Sequence, residues 1–105
     1  MKYELLITQR AQREAQANHD WWAEHRSPEQ AARWYDEFLQ ATLSLEHEPA
    51  RFALAAENDR FPYELRQLNF GIGSKPTHRL VYTIRPSDVV ILRVRHLAQQ
   101  EIDPE

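Results

Sequence analysis

The stretch HRLVYTIRPSDVVILRVRH, His78 to His96, constrains the fold more than any other part of the chain. Two runs rich in Val, Ile, Leu and Tyr flank Arg85-Pro86-Ser87. β-Branched and aromatic residues suit an extended, pleated backbone, and Pro favours the bend, so the stretch reads as a β-hairpin. Near the turn both faces are apolar: Val81, Val90 and Leu92 on one, Tyr82, Ile84, Val89 and Ile91 on the other. This places the hairpin at the centre of a sheet.

The far end of the hairpin is different in kind. Arg79, Arg93, Arg95, His78 and His96 gather there. Pairing Ile84 with Val89 sets Arg79 opposite Val94, Leu80 opposite Arg93 and His78 opposite Arg95. Arg79, Val94 and His96 then share one side, and His78, Leu80, Arg93 and Arg95 the other. A one-residue bulge would exchange some of these, so the grouping by end is firmer than the grouping by face. Exposed strand ends commonly carry Arg, whose stem covers apolar surface. A buried cation instead needs an anion, either internal, such as Glu64, or external, such as a phosphate.

The charge is unevenly spread along a chain whose net value is −3. Residues 1–63 carry seven Lys or Arg against eleven Asp or Glu, whereas residues 64–96 carry six against Glu64 and Asp88. A basic C-terminal third is thus set on an acidic body, and the last residues add only acid. The overall balance argues against a generic nucleic-acid binder, and the local one leaves an anion site open.

The rest of the chain supplies the other layer. Tyr3–Thr8 reads as a strand, with Thr8 able to cap the next element, and Gln9–His25 is a run of good helix formers without Gly or Pro. Ser27-Pro28-Glu29-Gln30 is a helix start: Ser accepts an orphan amide, Pro presets the first turn and Gln can complete a capping box. Ala31, Trp34 or Tyr35, Phe38, Thr42 and Leu45, flanked by Leu39 and Leu43, give that helix a broad apolar stripe, and Pro49 blocks its continuation. Pro49–Pro62 lacks periodicity and reads as a connector, with room for a short helical turn in ALAAE. Glu64–Phe70 reads as a strand and Gly71–Pro76 as a turn. Trp21, Trp22 and Trp34 read as core fillers rather than a stacking platform for bases.

The order strand, helix, helix, three strands predicts an α+β domain over residues 1–98. In it an antiparallel helical hairpin covers one face of a small antiparallel sheet (β-α-α-β-β-β), and the other face stays partly open. Residues 99–105 read as a polar, solvated tail. With 105 residues, 42% of them apolar, the chain can bury one core and should fold. It has no cysteine, which excludes disulfides and thiolate metal sites. The spacing of His19, His25 and His47 matches no common zinc site, so no metal is expected. MKYELLITQR has an apolar run of only three residues, which predicts no membrane contact and a cytoplasmic location.

Taken together, SPEQAARWYDEFLQATLSLEHEP, ELRQL, and HRLVYTI followed by VVILRVRH resemble the RelE/ParE superfamily of type II toxins, also called plasmid stabilisation system toxins. The resemblance covers nearly the whole chain. It implies a toxin neutralised by a cognate antitoxin protein. RelE-like members cleave mRNA on the ribosome without a metal or other cofactor, since the RNA supplies its own nucleophile, while ParE-like members inhibit DNA gyrase non-enzymatically. A degenerate toxin that only binds its antitoxin is a third reading.

For the nuclease, the preferred reading, the likeness implies a catalytic set of Arg79 on the phosphate, Glu64 as general base and His96 as general acid. Arg66, Lys75, Arg93 and Arg95 would position the RNA. Glu57 competes with Glu64 for its role, and Leu97 stands where an ungapped alignment puts the histidine. Two nuclease features have no counterpart: the lysine pair and an aromatic residue after the histidine.

Overall fold

A computed structural model describes residues 1–104; the last residue of the expected tail, Glu105, lies outside the described residues. The elements are β1 (Glu4–Ile7), α1 (Gln9–His25), α2 (Pro28–Ser44), β2 (Arg66–Phe70), β3 (His78–Ile84) and β4 (Asp88–His96), with 3-10 turns at Pro49–Arg51 and Asn58–Arg60 in the connector. Both expected caps form. The Ala11 amide donates to Thr8 Oγ1 and the Gln30 amide to Ser27 Oγ, each at 3.1 Å. At the other end of α2, Arg51 donates to the carbonyl of Ser44, satisfying a group that the helix leaves open, and to that of Glu48 beyond it.

The sheet order is β1-β4-β3-β2, and β1 runs parallel to β4, with Glu4 beside Asp88 and Ile7 beside Ile91. The sheet is therefore mixed rather than wholly antiparallel. The cause lies in the helical hairpin. α1 continues in the direction of β1 along the far half of β4, where Glu14 accepts from the Val94 amide. α2 then returns the chain to the start of β1, where the Tyr3 amide donates to Glu46 O at 2.8 Å. β2 consequently runs with β1, and two antiparallel reversals bring β4 round to the same direction.

The β3–β4 hairpin pairs Ile84 with Val89 as expected, then changes register between Val81 and Tyr82. Beyond this bulge His78 faces His96, Arg79 faces Arg95, Leu80 faces Val94 and Val81 faces Arg93. The expected partners at that end are all corrected by one residue, because Leu92 is the extra residue on β4. His78 and His96 therefore share the helix side with Leu80 and Val94, while Arg79 points to the other face.

The main core lies between helices and sheet: Ala11 and Ala15 of α1, Trp34, Phe38 and Ala41 of α2, and Phe70, Leu80, Tyr82, Val89, Ile91 and Val94 of the sheet. Trp34, not Tyr35, is the fully buried aromatic, stacked on Phe38 at 6.0 Å. The α2 stripe is narrower than its composition suggests, since Leu39 and Leu43 are exposed. Trp34 fills the core as expected and Trp22 packs against it, but Trp21 is 45% exposed.

The opposite face of the sheet is more covered than expected. Ala55, Leu65, Val81 and Ile102 form a second small core, joined by Phe61 and Leu92. The connector supplies part of this cover. The last residues supply the rest: Gln99–Glu101 are exposed, but Ile102 is 5% accessible, so the end of the chain folds back onto the sheet. An isoleucine in a polar segment is what draws it there.

These packing assignments separate two otherwise similar substitutions. Phe38→Ala should lower stability by about 3–5 kcal/mol through lost burial and a residual cavity. Leu43→Ala, on the exposed face of the same helix, should change it by less than about 1 kcal/mol. Urea unfolding of the two variants checks the orientation of α2.

Candidate functional site

Arg79 is the residue on which the expected catalytic set depends, and its guanidinium is fully engaged inside the protein. Its Nη1 donates to Glu57 Oε1 at 2.8 Å and to Gln67 Oε1 at 3.0 Å, and its Nη2 to Glu57 Oε2 at 2.5 Å. The Arg79 side chain is 7% exposed and that of Glu57 is 0%. The Ile102 amide also donates to Glu57 Oε2, at 2.9 Å. Burial by itself would push the Glu57 carboxyl up, but the hydrogen bonds from Arg79 and the Ile102 amide outweigh it and hold the group down at about 2. The internal anion foreseen for this arginine is thus Glu57 rather than Glu64.

Arg79, Glu64 and His96 do not meet. The Glu64 carboxylate is 55% exposed and accepts from Arg66 Nε at 2.9 Å, while its carbonyl accepts from Thr83. Because Arg79 pairs with Asn69, Glu64 lies five residues away along the same strand direction, roughly 16 Å at the rise of a strand. His96 sits on the other face, its ring centroid 4.9 Å from that of His78.

The residues expected to position RNA are similarly occupied. Arg66 also donates to Phe52 O at 2.6 Å, and Arg93 forks onto the Glu14 carboxylate at 2.8–3.1 Å. Arg95 donates to Gln100 O at 2.7 Å, and its Nε is buried with no partner among the described residues. Lys75 is exposed in the β2–β3 turn. The basic third therefore does not present a basic surface. Glu57, Glu14, Glu64 and Asp88 hold Arg79, Arg93, Arg66 and Arg85 respectively.

A second constellation lies at the open end of the sheet, on the helix side. There the second half of α1 meets the start of β3 and the end of β4 around a cleft of about 480 Å³. His78 forms its floor. Trp34 Nε1 can only donate, so the His78 Nδ1 it reaches at 3.2 Å must accept. His78 is therefore neutral, with its proton on Nε2, 2.9 Å from Asn18 Oδ1; the Thr77 hydroxyl also contacts Nδ1 at 2.7 Å. Burial, and then the nearby His96, push the His78 ring down to about 4. Sequence reading singled out His78 only as part of a charge cluster. Asn18 and Trp34 belong to separate helices and carried no signal of this network.

Trp21 and Arg26 complete the wall. Trp21 stacks on His25 at 4.7 Å and meets Trp22 edge-on, and the Arg26 guanidinium lies 5.5 Å from the Trp21 ring centre. Among the described residues no group of three or more His, Cys, Asp or Glu is placed to hold a metal ion. No helix among them is long and apolar enough to cross a membrane.

The mixed four-stranded sheet under a helical hairpin is the RelE/ParE-like fold. Among solved structures the chain is similar to a chain of the chromosomal ParDE TA system from P. aeruginosa, with a TM-score of 0.73 and 17% identity over 90% of this chain and 96% of that one. It is also similar to a chain of the archaeal RelE-RelB complex from Pyrococcus horikoshii OT3, with a TM-score of 0.50 and 16% identity over 95% and 100%. The family is narrower than the fold. Residues 5–101 match the model of the ParE toxin of the type II toxin-antitoxin system, parDE, and the chain belongs to that family. Comparison with curated proteins finds no match.

Two measurements test the buried polar groups. Between pH 6.5 and about 4 the unfolded chain takes up a proton at His78 that the folded chain refuses. Stability from this group is therefore complete above 6.5 and is lost as the pH falls towards 4, by roughly 3 kcal/mol. Calorimetry from pH 7 to 4 should show that loss, and His78→Gln should flatten it. Separately, Glu57→Gln leaves a guanidinium buried without an anion and should cost about 3–5 kcal/mol in urea unfolding. Adding Arg79→Met should recover much of it.

Proposed function

We propose that this ParE-family toxin arrests growth by docking on a target protein, DNA gyrase, rather than by cutting RNA, and that a cognate antitoxin protein holds it in check. The observation that carries the reading is the Arg79–Glu57 pair. A scissile phosphate at Arg79 would have to displace a buried bidentate carboxylate and a glutamine, and strip the cover that Ile102 provides. Glu64 precedes the start of β2 at Arg66, whereas His96 pairs with His78 beside the other end of that strand, so the two are too far apart to exchange protons across one phosphate. The neutralised arginines and the acidic pI of about 5.9 also remove the cationic surface that ribosomal RNA would favour. For an antitoxin, the support is the family, described as toxins of type II toxin-antitoxin systems, and the likeness to a chain of the ParDE TA system.

The discriminating experiment follows transcript integrity and plasmid supercoiling in the same cells, minutes after inducing the chain without an antitoxin. Intact transcripts with altered supercoiling are expected. Fragmentation at ribosome-engaged codons would overturn the reading and restore the nuclease. Glu64→Gln adds a second handle, because its carboxylate sits at the surface and, among the described residues, is held by Arg66. It should leave toxicity unchanged, whereas loss of a general base would reduce cleavage by about 10²–10⁴-fold.

A further inference from the structure

We infer that the cleft between α1 and the ends of β3 and β4 is a docking pocket for a partner-protein segment in which a single carboxylate is flanked by apolar side chains. The inference rests on the reading that the chain works through protein partners, and it is independent of which target is inhibited.

The charge around the cleft points to an anion. Arg60, Arg66, Arg79, Arg85 and Arg93 each hold a carboxylate, in a chain whose net charge is −3. Among the described residues, Arg26 and several other arginines, Arg95 for one, have no carboxylate partner, but of these it is Arg26 that lines the cleft. It lies over Trp21, and its hydrogen bond there is a long one, 3.4 Å, to the carbonyl of His25. Across the cleft, His96 Nδ1 accepts from the Ala98 amide at 3.0 Å. The proton of the neutral ring is therefore on Nε2, which has no hydrogen-bond partner among the described residues. No Asp or Glu among them lines the cleft. Two donors without a carboxylate thus face a space that lacks one.

The shape selects the kind of anion. The flat face of a nucleobase wants a parallel aromatic partner. Here one face of Trp21 is taken by His25, and the ring pairs at the cleft stand edge to face, Trp21 to Trp22 at 87° and His78 to His96 at 74°. They form a corner, which suits an aliphatic or aromatic side chain entering end-on. The net negative charge of the chain also opposes a polyphosphate more than it opposes one carboxylate. The floor is held in place in advance, because His78 is tied to Trp34 and Asn18 on two different helices. Little ordering is left to oppose binding, and Trp and Arg at such a site are the residue types that dominate protein interfaces.

The test is a fluorescence titration of the full chain, in which Trp21 and Trp22 report on the cleft. The probe is the capped pentapeptide Leu-Phe-Glu-Phe-Leu, with Leu-Phe-Gln-Phe-Leu as the uncharged control and AMP and a uridine decamer as the alternative ligands. A saturable change is expected for the Glu peptide, with about tenfold weaker binding of the Gln peptide. Arg26→Glu should abolish it, at an unchanged unfolding midpoint, and Lys75→Ala should leave it intact. No saturable change up to millimolar peptide would overturn the proposal, as would equal binding of the two peptides or tighter binding of AMP or the decamer. None of these outcomes depends on growth inhibition, so the pocket and the proposed target fail separately.

Discussion

Arg79 and Glu57 form an ion pair with almost no access to water, and four segments of the chain meet there. β3 brings the arginine, the connector brings the carboxylate, β2 brings Gln67, and the C-terminal segment closes the site through the Ile102 amide. Taking two charges out of water is costly, and the pair is tolerable because nearly every lone pair and proton is matched. The second core beneath it, Ala55, Leu65, Val81 and Ile102, is small. The connector is also held by backbone hydrogen bonds to the sheet, Ala55 to Leu65 and Gln67 to Ala53, and by the Tyr82 hydroxyl on Pro49 O. The ion pair adds to these a charged anchor beside the second core.

The same logic runs through the rest of the polar structure. Along the sequence the acids and bases are segregated, yet in space they interleave: Glu14 from α1 reaches Arg93, and Glu57 from the connector reaches Arg79. The acidic body is the counter-charge of the basic hairpin. Arg26 and His96, which this pairing leaves over, line the cleft at the open end of the sheet.

The hydrophobic layers were legible in the sequence because they rest on local rules. The start of each helix followed from Thr8 and Ser27, and the central hairpin from its β-branched runs. The parallel pairing of β1 with β4 was not, since it depends on the direction in which α1 leaves β1, a property no residue encodes by itself. The candidate site was legible by composition and misread by partnership. Glu57 sits in a stretch without periodicity, 22 residues from Arg79, and a charge separated that far carries no pairing signal. Ile102 was hidden differently: one apolar residue among polar ones is invisible to a window average, yet it draws the chain's end onto the sheet.

The bulge between Val81 and Tyr82 gives this hairpin a parity. Before it, odd positions of β4 such as Val89 and Ile91 face the helices; after it, even positions such as Val94 and His96 do. The single additional residue therefore acts as a phase marker that decides which of two neighbours, Arg95 or His96, is turned towards the C-terminal segment and which lines the cleft. Removing one residue from β4 would leave its composition nearly unchanged and still exchange the contents of the two faces. For a strand whose last residues serve two unrelated environments, sequence length carries as much information as sequence identity.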